Sequence, residues 1–171
     1  MRARSLSVAA AATALVLVQP GLAVAADDPS TTITYNVTSG ALTMSVPVSV
    51  ALGSGAPGTT ISGALGPVTV TDDRALASAS WTVTAAETDF ASGPSTIPAT
   101  SAGYDPGSIT TTGTITATTT PVTLSNSAQT VVTGSAGVGD NTATWNPTVT
   151  VHVPAAAVGG AYTGTLTQSV A

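Results

Sequence analysis

Apolar and polar residues alternate along most of the chain from position 33 onward, and a period of two predicts half-buried strands. Ile33, Tyr35 and Val37 alternate with Thr34, Asn36 and Thr38. The same pattern runs through Leu42, Met44, Val46, Val48, Val50 and Leu52, then Val68 and Val70, then Trp81, Val83 and Ala85. Ile109, Ile115 and Ala117 share parity across a threonine-rich run; Ala143, Trp145, Val149, Val151 and Val153 form a further set. Tyr162, Leu166 and Val170 close the series. Clusters of Gly, Pro, Ser and Asp at residues 53–58, 71–73, 91–94, 103–107, 134–141 and 159–160 predict turns between them. Pro47 and Pro147 fall inside strand patterns, where a residue without an N–H marks an edge or a bulge. No helical period is visible. The pattern predicts an all-β fold: one Ig-like, Greek-key antiparallel β-sandwich of about 8–10 strands, occupying residues 27–171.

The first 26 residues read differently. Arg2 and Arg4 precede an uncharged apolar run from Leu6 to Val18, followed by Pro20, Gly21 and the small-x-small triplet Ala23-Val24-Ala25. This is the layout of a secretory signal peptide cleaved after Ala25 or Ala26. It predicts a secreted, extracellular or cell-surface protein with no membrane insertion once the signal is removed. Cleavage leaves 145 residues.

Composition narrows the function classes. The 171 residues are 43% hydrophobic and only 6% charged, with no cysteine and a net charge of −5. Arg74 is the one basic residue after the signal, so a surface that neutralises phosphates cannot be built and nucleic acid is excluded as a partner. Disulfides, thiolate chemistry and cysteine zinc sites are absent.

Little remains for catalysis. The one histidine, His152, has outward parity beside Thr148 and Thr150, and no G-x-S-x-G elbow accompanies it. Asp72 and Asp73, with Glu87 and Asp89, offer paired carboxylates of the kind a glycoside hydrolase needs. Adjacent aspartates on a strand point to opposite sides, however, and a turn with one acid paired to Arg74 is the simpler reading. Asp140-Asn141 and Asp72-Asp73 supply oxygen ligands for calcium, without a D-x-D-x-D-G loop. No catalytic residue, metal or cofactor is assigned. Trp81 and Trp145 sit at inward parity and are expected in the core; an exposed ring would instead offer a platform for a sugar.

At these residues the chain resembles a known family. The run Val68-Thr69-Val70-Thr71-Asp72-Asp73-Arg74, followed by Ser80-Trp81-Thr82-Val83-Thr84, is similar to the first half of the WxL domain of Gram-positive surface proteins. Val153-Pro154, Ala155-Ala156-Ala157 and Tyr162-Thr163-Gly164-Thr165-Leu166-Thr167 resemble its C-terminal half. Val83 stands where the first motif has Leu, and Gln168 and Val170 stand where the second has Trp and Leu. The second Trp-x-Leu motif is therefore lost. Abundant Ala, Thr and Gly without Lys fits a GC-rich genome, such as an actinobacterial one.

The resemblance implies a non-enzymatic domain that associates non-covalently with the cell wall, through peptidoglycan or a surface partner. It marks Asp73, Arg74, Trp81, Val83, Tyr162 and Leu166 as motif positions, serving either wall binding or the core. The other readings are a carbohydrate-binding or adhesin-like module for an external glycan, and a glycoside hydrolase. Gln168 shares parity with Tyr162 and Leu166; a buried amide needs partners, and fraying of the strand towards Ala171 is expected to release it. On the family analogy Gln168→Trp restores the aromatic of the second motif, and it is expected to be tolerated and to raise wall retention.

Overall fold

The computed structural model describes residues 30–171. The predicted signal peptide, residues 1–26, lies outside the described residues, as do Asp27 and Asp28. The chain divides into two units, one ending at Tyr35 and the other, Asn36–Ala171, containing all the sheets.

Among the described residues, twelve strands follow in chain order: β1 (Leu42–Ser45), β2 (Thr60–Ala64), β3 (Val68–Asp72), β4 (Ala79–Glu87), β5 (Phe90–Ser92), β6 (Ser95–Ile97), β7 (Ala102–Asp105), β8 (Ile109–Thr119), β9 (Val122–Thr123), β10 (Gln129–Trp145), β11 (Thr148–His152) and β12 (Leu166–Val170). A 3₁₀ turn, Ala99–Ser101, precedes β7. The all-β, antiparallel, sandwich-like architecture is as expected. The strands outnumber the expected set because several are short and lie end to end.

Strand β10 organises the larger sheet. Its 17 residues take β8 along one edge. Along the other edge they take β4 on the first half and β3 on the second. β12 then pairs with β4, and β1 with β3. The sheet is thus four rows wide: β8, β10, β4 with β3, and β12 with β1. The smaller sheet has the order β2-β11-β7-β9, and β5 and β6 form a separate hairpin.

The chain crosses between sheets at Asn146-Pro147, so the apolar set from Ala143 to Val153 is two strands rather than one. Pro147 brings no N–H to a ladder, is buried, and accepts from the Leu65 N–H at 2.8 Å. The Asn146 side chain accepts from the Gly66 N–H at 3.0 Å.

Four further expectations are corrected. Residues 134–141 are not a turn. β10 runs through them with register shifts at residues 134–137 and 138–142, because β3, β4 and β8 supply ladder partners on both sides. Residues 103–107 do not form a turn alone, since β7 extends to Asp105. The predicted strand over residues 42–52 stops at Ser45, and residues 33–37 lie in no strand.

The core joins Val68, Val70, Trp81, Val83, Ala143 and Trp145 of the larger sheet to Ala102, Tyr104, Val149 and Val151 of the smaller. Trp81 lies directly opposite Gly134 in the ladder, and a Cβ on Gly134 would collide with the indole. Glycine is there to leave room for the ring. Gly134→Ala is expected to cost about 1–3 kcal/mol by overpacking, read as a fall in the urea midpoint at unchanged slope.

Candidate functional site

The tryptophans settle into the core on neighbouring strands of one sheet, each 2% exposed. Their polar edges differ. Trp145 Nε1 donates to Tyr104 Oη at 3.0 Å, and Tyr104 Oη donates to Gln168 Oε1 at 2.9 Å. This chain of bonds ties β10, β7 and β12 together across both sheets. Burial pushes the Tyr104 hydroxyl up to about 12, so it stays protonated and able to donate. Trp81 Nε1 is buried without a partner.

Gln168 does not fray. It is held in β12 opposite Ala85, and the strand pairing continues to Ala171, which exchanges both backbone hydrogen bonds with Thr82. The amide turns inward because Tyr104 supplies a donor. Gln168→Trp would remove that acceptor, which corrects the expectation that it is harmless.

The acid beside Arg74 is Asp72, not Asp73. Asp72 shares inward parity with Val68 and Val70 and is fully buried. Its Oδ1 accepts from Arg74 Nε at 2.8 Å and from the Arg74 backbone N–H at 3.2 Å, and its Oδ2 accepts from Arg74 Nη2 at 2.9 Å. The same Nη2 donates to the Ser80 carbonyl at 2.8 Å. Arg74 therefore clips the end of β3 to the start of β4. Its hydrogen bonds hold the Asp72 carboxyl below the usual carboxylate range, against the opposing effect of burial. Asp73 is exposed and contributes only its backbone, bonded to Gly40 and Ala41.

The remaining motif positions are packing positions. Val83 is fully buried. Leu166 is half-buried and packs against the core; Tyr162 is half-buried and donates through its hydroxyl to the Val158 carbonyl at 2.9 Å. β12 lies beside β4, with Gln168 opposite Ala85 and Val170 opposite Val83; no ladder pair joins residues 68–84 to residues 153–168.

The carboxylates do not converge. Asp72 lies opposite Asn141 and Ala85 opposite Gln129. The twelve residue steps along β10 from Gln129 to Asn141 put Asp72 and Glu87 on the order of 40 Å apart at roughly 3.3 Å per residue. Asp89 Oδ1 accepts from the Ala99 N–H at 2.9 Å, beside the 3₁₀ turn. His152 is exposed, with Nδ1 3.3 Å from Thr60 Oγ1. Among the described residues no group of three His, Asp or Glu side chains is placed to hold a metal ion.

Glu87 is the acid in the most unusual setting among the described residues. It ends the inward stripe of β4, 5% exposed, with Oε1 unpartnered beside Gly164 and Phe90. Burial pushes its carboxyl up to about 7, partly offset by the Thr88 N–H. A cavity of about 180 Å³ adjoins it, lined by Ala86, Thr88, Asn126, Thr165 and Thr167. A shallower groove of about 410 Å³ runs over Gly103, Asp105, Pro121, Val122, Thr123 and Thr150.

The outer face of the larger sheet is the most extended chemical feature. Ladder register aligns Ser45, Thr69, Thr144 and Thr110 in one row, and Thr43, Thr71, Thr142 and Thr112 in the next. All eight side chains are hydroxyls. Thr69 and Thr144 touch at 3.0 Å between their Oγ1 atoms, and Thr112 and Thr142 at 2.6 Å. Residue parity showed that these threonines face outward. Which strands lie side by side is set by long-range pairing, so the rows were hidden in the sequence. No protein-family model matches the chain, and no match was found among curated proteins or solved structures.

Proposed function

We propose that the exported chain is a non-enzymatic β-sandwich module, related to the WxL domain, that associates non-covalently with the bacterial cell wall or surface through its glycan. The observation that carries this reading is the two-row field of eight hydroxyls, uncharged along both rows. Hydroxyl side chains both donate and accept, which suits a surface of sugar hydroxyls and amides. A field without cations offers nothing to an anionic polymer. The buried tryptophans leave no exposed indole for stacking, and the separated acids give no acid–base pair across a cleft. These features favour surface association over either an indole-based sugar platform or a hydrolase.

Protein mixed with washed, purified walls is expected to sediment with them at low and high salt, and to be released by chaotrope without muramidase. Thr112→Glu combined with Thr142→Glu puts two carboxylates into the field and is expected to weaken retention at least tenfold. Full recovery of the unaltered protein in the supernatant at both salts contradicts the reading.

A further inference from the structure

The outer face of the larger sheet carries a recess at the end of β4, away from the eight-hydroxyl field. Ala86, Thr88, Asn126, Thr165 and Thr167 line this cavity of about 180 Å³. Its shape follows from which residues lie side by side. Ala86 shares outward parity with Thr82 and Thr84 and lies opposite Thr167 of β12. On the other edge of β4 the Glu87 N–H donates to the Ser125 carbonyl at 2.9 Å, which brings Asn126 alongside. The middle of the three segments thus presents only a methyl group, between hydroxyls on one side and an amide on the other. Thr88 and Thr165 stand at the end of the strand, where the Thr165 N–H donates to Thr88 Oγ1 at 2.9 Å.

Among the described residues no charged side chain enters the recess. Glu87 has inward parity opposite Leu166, with Oε1 beside Gly164 and Phe90, so its carboxyl lies on the other side of the sheet. Arg74 is the one basic residue beyond position 4, and it is held by Asp72 at the other end of β10. An ammonium or a carboxylate would therefore enter without a counter-charge, which is costly. A neutral ligand finds what it needs. Threonine hydroxyls and the Asn126 amide each donate and accept, and Ala86 offers a contact for a methyl group. The volume lies below the about 300–1,000 Å³ of pockets that take drug-sized molecules, so it suits one ring rather than several.

The rows beyond the recess are hydroxyls again. Ser169, Thr84 and Thr130 align in the next outward row, and Thr82, Thr133 and Thr118 in the one after. Such rows are about 6.6 Å apart, two residues at roughly 3.3 Å each. A ring held in the recess has a hydroxylated path beside it for the rest of a chain.

We infer that this recess binds one uncharged N-acetylated hexose residue of a glycan, with its acetamido group between Ala86 and Asn126 and its hydroxyls on Thr165 and Thr167. The site is distinct from the eight-hydroxyl field and rests on the reading of the partner as a glycan. The acetamido group is the distinguishing part, because it alone supplies a methyl for Ala86 together with an N–H and a carbonyl for an amide.

Amide shifts of isotope-labelled protein in NMR, titrated with free N-acetylglucosamine, glucose and glucosamine, test this. N-acetylglucosamine is expected to move the amides of residues 86–88, 126 and 165–167, and the other two sugars should bind there at least tenfold more weakly. Ala86→Leu fills the recess and Asn126→Ala removes its amide. Each should weaken N-acetylglucosamine at least tenfold with the urea midpoint unchanged; Asn126 is exposed, so its variant decides the matter should Ala86→Leu disturb β4. Both variants keep the eight-hydroxyl field and should still sediment with walls, less tightly than the unaltered protein. Wall binding by the unaltered protein while the free sugar leaves these amides unmoved overturns the site and leaves the wall reading standing. Equal binding of glucose or glucosamine, or an Asn126→Ala variant that binds like the unaltered protein, also overturns it. Failure to bind walls, with N-acetylglucosamine still moving these amides, contradicts the wall reading and supports the recess.

Discussion

Raising the pH from 4.5 to above 7 is expected to lower the stability of the sandwich by about 3 kcal/mol, through Glu87 alone. The carboxyl moves from 4.5 to about 7 on burial, and each tenfold change in proton affinity corresponds to about 1.4 kcal/mol. The sign follows from proton uptake. The folded chain holds this proton more tightly than the unfolded chain, so the stabilisation is complete below 4.5, declines as pH rises, and is gone above about 7. Glu87→Gln should flatten that slope and exceed the unaltered protein in stability above pH 7. Asp72 acts in the opposite sense. Its pKa is lowered from 3.8, so its contribution is present above 3.8 and is lost as the pH falls through the depressed value. The urea midpoint should therefore peak in mildly acidic solution, between the two windows. A flat midpoint from 4.5 to 7 would show that Glu87 Oε1 finds a partner after all.

Trp145→Ala is expected to cost about 3–5 kcal/mol, among the largest single losses available to this fold. The substitution empties a core site and removes the indole N–H that donates to Tyr104 Oη. The aromatic substitutions separate packing from hydrogen bonding. Trp145→Phe loses the bond to Tyr104, worth about 1 kcal/mol, besides some volume. Trp81→Phe removes an N–H that has no partner, so it should be the milder change. Urea denaturation of both variants gives the order; equal losses would mean that the Trp145–Tyr104–Gln168 chain adds nothing beyond packing.

Much of the core was legible because inward parity is local information. Val68, Val70, Trp81, Val83 and Ala85 follow one stripe, which the structure continues to Asp72 inside, leaving Asp73 outside. The family motif pointed to Asp73, and alternation said only that the two aspartates face opposite sides. What local patterns missed was set by distant partners. Residues 134–141 read as a turn from their Gly, Ser and Asp content, yet Gly134 serves the indole of Trp81 inside a ladder. Gln168 turns inward because Tyr104, on the other sheet, offers it a hydroxyl. Residues 33–37 have strand chemistry, but the continuation of β1 is occupied by β12. The hydroxyl rows depend on the order β1-β3-β10-β8, which no single segment encodes.

The most direct test of the central claim is fractionation of the producing cells. The account predicts a protein whose N-terminus lies near Asp27, recovered with the washed walls and moved to the soluble fraction by chaotrope while the glycan stays intact. A protein found entirely in the culture medium, or one that leaves the walls only when the glycan is digested, would contradict it.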